Sequence, residues 1–88
     1  MFIKVKKLNS KAKLPERATA TSAGADLCAC IDDDVVLMPG DRKLIPTGLA
    51  IAVPTGYGGF VFARSGLSSK FGVSLANCVG VIDSDYRG

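Results

Sequence analysis

The stretch Gly80-Val81-Ile82-Asp83-Ser84-Asp85-Tyr86-Arg87-Gly88 decides how the rest of the chain is read. Val81 and Ile82 are β-branched and apolar, the composition of the end of a buried strand. Asp83-Ser84-Asp85 carries turn chemistry, because Asp and Ser side chains bond their own backbone two residues on. Tyr86 is expected to begin a return strand, and Gly88 to admit another backbone or a ligand at close range. A carboxylate and an aromatic ring three positions apart, on either side of a hairpin tip, can face one small pocket. The acid can orient a water, and the ring can pack flat on a sugar. Taken alone, the stretch has a plainer alternative, a solvated Asp-rich surface turn.

Working outward, length bounds the answer. Eighty-eight residues make one small domain, 1–88, near the size at which folding buries only about 60% of the unfolded surface. The hydrophobic share is 48%, yet no apolar run is long enough to cross a bilayer, so no membrane partner is expected. The opening MFIKVKKL lacks an apolar core of signal-peptide length, so no export is expected and the location should be cytoplasmic. Net charge is +3 and scattered, and Lys4, Lys6 and Lys7 form its only cluster. Alternation along a strand explains that cluster better than nucleic-acid binding does. Cys28, Cys30 and Cys78 are odd in number and there is no histidine, a poor zinc set. Reduced thiols fit better.

Most of the chain reads as strands with turn punctuation. Phe2 to Leu8 alternates, with Ile3 and Val5 against Lys4 and Lys6. Asn9 to Ser22 is polar and contains Pro15, a long connection. Ala23 to Ile31 returns to a strand pattern. Asp32-Asp33-Asp34 cannot turn all its carboxylates toward one ion, and it lacks the spaced ligands of a calcium loop. It reads as a solvated connection. Val35 to Met38 is a short strand, and Pro39-Gly40 supplies a type II turn. Arg42 to Val53 alternates at length, with Pro46 and Gly48 marking an edge or bend. Pro54-Thr55-Gly56 is a further turn before a strand over Tyr57 to Ala63, where Gly58-Gly59 marks a bulge or close packing. No amphipathic helix exceeds two turns. Regularly spaced short strands imply an all-β sandwich or barrel.

Two other stretches carry chemistry. Arg64-Ser65-Gly66-Leu67-Ser68-Ser69-Lys70 follows a strand and opens a short helix. Ser65 is a good N-cap there, Gly66 lets backbone N–H groups approach an anion, and Arg64 adds a bidentate phosphate donor. A capped helix beside a surface arginine is the bland alternative. Ala23-Gly24-Ala25-Asp26-Leu27 sets one carboxylate between small residues and an apolar anchor, and its bland alternative is a turn entering a strand.

Together these motifs resemble the trimeric deoxyuridine triphosphatase (dUTPase) family. The resemblance rests on AGADL at 23–27, ARSGLSSK at 63–70 and NCVGVIDSDYRG at 77–88, in the family's order and spacing. PGDRKLIPTGLAIAVP at 39–54 also resembles the family, so the likeness runs along the whole chain. Ala63 departs from it, standing where the family usually has proline. The family's later segments are not among these 88 residues, including a glycine-rich arm that closes over the nucleotide and the strand that should pair beyond the hairpin. The expectation is therefore the N-terminal portion of a subunit, either a fragment or a truncated product; the truncated product would leave strand edges open and need a partner to fold.

The resemblance implies a jelly-roll, distorted β-barrel subunit of a homotrimer, with active sites built from more than one subunit. It implies hydrolysis of dUTP to dUMP and pyrophosphate with magnesium. Asp83 would be the general base that activates a water for in-line attack on the α-phosphorus. Magnesium would neutralise the triphosphate, with Asp26 holding it through water. Arg64, Ser65 and Gly66 would hold phosphates from an adjacent subunit. Tyr86 would lie under the deoxyribose and exclude a 2′-hydroxyl, while Asn77, Val81 and Ile82 would line the uracil pocket, largely through backbone groups. Three alternatives stay open: the dCTP deaminase branch of the same superfamily, a non-catalytic nucleotide-binding module, and a structural β-domain with accidental motifs.

Overall fold

The computed structural model describes residues 1–88, with elements in the order β1 (Lys4–Lys7), β2 (Leu49–Ala52), β3 (Gly59–Phe62), α1 (Ser65–Phe71) and β4 (Val79–Ile82). Four strands of four residues each outweigh a single seven-residue helix, so the architecture is β-rich, as the sequence predicts. The chain resolves into two compact units, Val5–Ile51 and Met1–Lys4 with Ala52–Gly88.

In the first unit, β1 and β2 form a two-stranded sheet. The Leu8 N–H donates to the Gly48 carbonyl at 2.7 Å. In β1 only Val5 is half-buried, while Lys4, Lys6 and Lys7 are exposed; Ile3, expected to share the covered face with Val5, is exposed and precedes the strand. The centre of this unit is small. Ala12 is 3% exposed, and a Cβ added at Gly48 would stand 2.9 Å from the Ala12 Cβ and 3.1 Å from the Cys30 Sγ. Only a residue without a side chain lets these three segments meet.

Three predicted strands are shorter or absent here, each for a visible reason. Ala23–Ile31 makes one isolated bridge, Asp26 with Glu16, and otherwise sends the Cys30 N–H to the Pro46 carbonyl at 2.8 Å. Over Val35–Met38 the backbone is claimed by side chains: the Met38 N–H donates to Asp41 Oδ2 at 2.9 Å, and Lys43 Nζ donates to the Val36 carbonyl at 2.8 Å. Such local bonds compete with a ladder. Of Arg42–Val53 only Leu49–Ala52 is strand, because Pro46 has no N–H to offer and Gly48 sits at φ 70°. The turn at Pro39-Gly40 forms as expected, with the Asp41 N–H on the Met38 carbonyl and Gly40 at φ 86°. Asp32, Asp33 and Asp34 are exposed, and Asp32 pairs with Lys11 at 3.0 Å in solvent.

The second unit is built on β3 and β4, which run antiparallel with Gly59 opposite Ile82, Phe60 opposite Val81, Val61 opposite Gly80 and Phe62 opposite Val79. Two glycines make the pairing tight. A Cβ on Gly59 would stand 3.0 Å from Val53 Cγ2 and 3.1 Å from the Ile82 Cβ, and one on Gly80 would stand 3.2 Å from the Val61 Cβ. Val53, 7% exposed, is the buried anchor of this face. The opposite face is apolar and open, with Phe60 60%, Phe62 67% and Val81 65% exposed. Val81 is thus in a strand but not in a buried one. Its side chain belongs to the face that the Gly59–Val53–Ile82 packing does not cover.

Candidate functional site

β4 delivers Asp83 directly to a turn. The Tyr86 N–H donates to the Asp83 carbonyl at 3.1 Å, so these two residues form the ends of one four-residue turn. Both side chains are exposed. Within residues 86–88, where a return strand was expected to begin, there is no strand pairing, and the Tyr86 N–H is committed to the turn. Gly88 does admit a close neighbour, and that neighbour is the Tyr86 phenol itself, which occupies the space a Cβ on Gly88 would take. Arg87 folds back over the turn, with Nη1 donating to the Ser84 carbonyl at 2.9 Å and the Tyr86 carbonyl at 2.7 Å.

β4 lies in a sheet of only two strands, so one of its edges meets β3 and the other has no strand beside it. The backbone groups of β4 that β3 does not use are donors and acceptors of the kind a pyrimidine's edge can pair with. Val81 and Ile82 project to opposite faces of the ribbon, Val81 exposed and Ile82 half-buried. Their side chains cannot line one pocket together, which leaves their shared backbone as the common surface. Asn77 is exposed just before β4, and its carbonyl accepts the Val79 N–H at 2.7 Å. That bond closes a tight turn around Cys78, whose φ is 65°, the left-handed region that non-glycine residues seldom occupy. No pattern in the sequence marked Cys78, since cysteine has no turn preference. Only the i to i+2 bond reveals the constraint.

Arg64, Ser65 and Gly66 lie at the start of α1. The N-cap residue is Arg64, extended at φ −71° and ψ 125° without a side-chain cap, and Ser65 is the first helical residue. This corrects the expectation that Ser65 caps the helix, because the Arg64 carbonyl already accepts the Ser68 N–H at 3.0 Å. Gly66 has an ordinary φ, and a Cβ there would meet nothing within 4 Å. Neither conformation nor packing within the chain asks for glycine at 66, so its open space faces outward. The helix stops where Gly72 turns left-handed at φ 67° and passes its N–H and that of Val73 back to Ser68 and Leu67.

Asp26 is half-buried in the first unit, held by backbone bonds on both sides: its N–H donates to the Glu16 carbonyl at 2.8 Å, and its carbonyl accepts the Glu16 N–H at 3.4 Å. A backbone fixed in this way leaves the carboxylate at a defined height in the bridge. No group of three or more His, Cys, Asp or Glu side chains is gathered for a metal ion. Sparse carboxylate donors suit magnesium, which keeps its waters and takes phosphate oxygens, and suit poorly any ion that needs an all-protein cage. Cys28, Cys30 and Cys78 are free thiols. No helix is long and apolar enough to cross a membrane.

Comparison with known proteins places these features in context. Residues 10–88 match the model of the dUTPase family. The deoxyuridine 5'-triphosphate nucleotidohydrolase of Syntrophotalea carbinolica is 55% identical over 86 residues, covering 98% of this chain and 58% of the relative. That of Desulfitobacterium hafniense is 61% identical over 77 residues, covering 86% of this chain and 51% of the relative. The chain therefore spans between half and three-fifths of the length of these curated relatives. Among solved structures, a variant dUTPase of Staphylococcus aureus phage phi11, described with a structural Mg(II) ion, superposes with TM-score 0.87 at 36% identity, over 100% of this chain and 55% of that one. A variant dUTPase of Staphylococcus bacteriophage 80alpha with dUpNHpp gives TM-score 0.86 at 38% identity, over 99% of this chain and 49% of that one.

Proposed function

The chain belongs to the dUTPase family, and from that premise we propose that its protein hydrolyses dUTP to dUMP and pyrophosphate. The observation that carries this reading is the turn at the end of β4, which brings the residues bearing a carboxylate and a phenol to the two ends of one hydrogen-bonded loop. Asp83, exposed and reached directly from a strand, orients a water and takes its proton as the water attacks the α-phosphorus in line. Tyr86 packs against the deoxyribose and leaves no room for a 2′-hydroxyl. The backbone at Val81 and Ile82, with the carbonyl-bearing turn at Asn77, reads the uracil. A backbone edge separates uracil from cytosine because their donors and acceptors at positions 3 and 4 are inverted.

Arg64, Ser65 and the open space over Gly66 receive phosphate oxygens, the arginine as a bidentate donor. Asp26 would hold magnesium through water, and the ion would supply charge neutralisation on the triphosphate and the departing pyrophosphate. Residues 1–88 act as one dUTPase-like domain of a cytoplasmic homotrimer in which the phosphate-binding corner serves an adjacent subunit's site. The test is to incubate the intact gene product with dUTP and with dCTP. Pyrophosphate and dUMP from dUTP are the expected products. Ammonia from dCTP would transfer the protein to the deaminating branch, and nucleotide binding without either product would make it a binding module.

A further inference from the structure

We infer that Arg87 is a positioning residue that sets the angle between the Asp83 carboxylate and the Tyr86 ring. With Asp83 and Tyr86 taking the roles proposed above, on which this inference rests, the geometry of their turn becomes a determinant of both rate and sugar selectivity. One backbone bond, Tyr86 N–H to Asp83 carbonyl at 3.1 Å, closes that turn. A single bond fixes the ends of a loop but lets the peptide planes between them rotate. Arg87 removes that freedom. Its Nη1 has two N–H groups, and it gives one to the Ser84 carbonyl at 2.9 Å and the other to the Tyr86 carbonyl at 2.7 Å.

Those carbonyls belong to the peptides on either side of Asp85 and Tyr86, so tying both to one atom locks the direction in which the Tyr86 side chain leaves the backbone. Charge on the guanidinium shortens and strengthens both bonds. The ring is limited from the other side as well, because it lies in the space a Cβ on Gly88 would occupy. Clamp and seat together hold a side chain that is itself 56% exposed and would otherwise sample several rotamers. Arg87 therefore acts through Tyr86 and Asp83 and needs no contact with substrate.

The experiment compares Arg87→Met, which keeps the aliphatic stem without donors, with Arg87→Lys, which keeps N–H donors, in the intact gene product. Steady-state kinetics with dUTP and UTP give the ratio of their kcat/KM values. Arg87→Met is expected to lower the dUTP-over-UTP ratio, by up to about a hundredfold if the ring shifts by about 1 Å, with Arg87→Lys recovering most of the loss. An unchanged ratio in Arg87→Met would overturn the inference even if the overall rate fell, since a uniform loss points to charge on the phosphates. Asp83→Asn, assayed alongside, keeps the two readings apart. Full turnover in that variant would remove the hydrolase assignment, whereas a dead Asp83→Asn with a normal ratio in Arg87→Met would remove only the clamp.

Discussion

Tyr86 and Asp83 share one turn but answer to different substrates' features, so their substitutions separate. Tyr86→Ala removes the surface proposed to lie under the sugar while leaving the Asp83 carboxylate in place. UTP is then expected to become a competing substrate, measured as its kcat/KM relative to dUTP; unchanged rejection of UTP would show that the ring is not the sugar gate. Cys78 carries a different kind of constraint, at φ 65° between Asn77 and β4. A β-branched residue of similar size cannot adopt that angle cheaply, whereas glycine can. Cys78→Val should destabilise by about 1–2 kcal/mol, and Cys78→Gly should be closer to neutral in urea unfolding. Equal midpoints would show that the left-handed angle is not imposed. At this scale the sequence shows chemistry well and conformation poorly. Asp83, Tyr86, Arg64 and Asp26 stand out by residue type, but a carboxylate's placement depends on bonds such as Asp26 to Glu16 that no motif spells out.

Among the elements, β3 and β4 are the pair that positions the site, and their fit depends on missing side chains. Gly59→Ala would bring a methyl to 3.0 Å from Val53 Cγ2 and 3.1 Å from the Ile82 Cβ, at the base of the strand that ends in Asp83. The expected cost is about 1–3 kcal/mol in denaturant unfolding. Gly24→Ala is the control, since its Cβ meets nothing within 4 Å, and should stay within about 0.5 kcal/mol. Similar values for the two would deny that the ribbon is tightly packed at Gly59. Strand positions were legible where alternation met a partner, as in Lys4–Lys7 and Gly59–Phe62. An apolar run misled over Val35–Met38 and alternation misled over Arg42–Gly48, because both register which side chains could share a face and are blind to where the backbone N–H groups go. There they go to Asp41, or do not exist, as at Pro46.

On the scale of the whole chain, only Ala12 and Val53 are buried while Phe60, Phe62 and Val81 stand on one open face. A core of that size gives little cooperativity. The 88-residue polypeptide produced by itself is expected to bind an apolar dye such as ANS and to melt over a broad range. A sharp transition without dye binding would show instead that copies of the chain cover these faces for one another, which sedimentation would reveal as a larger mass. Family membership was readable from three motifs spread from Ala23 to Gly88. Its division into two compact units was not, since no composition shift or linker marks Ile51 or Ala52. The hydrolase assignment itself rests on the Asp83 carboxylate, and the most direct measurement is pyrophosphate release from dUTP by Asp83→Asn in the intact gene product, with nucleotide binding followed in parallel. Turnover should fall by at least about a hundredfold while binding persists; release at the wild-type rate would contradict the account.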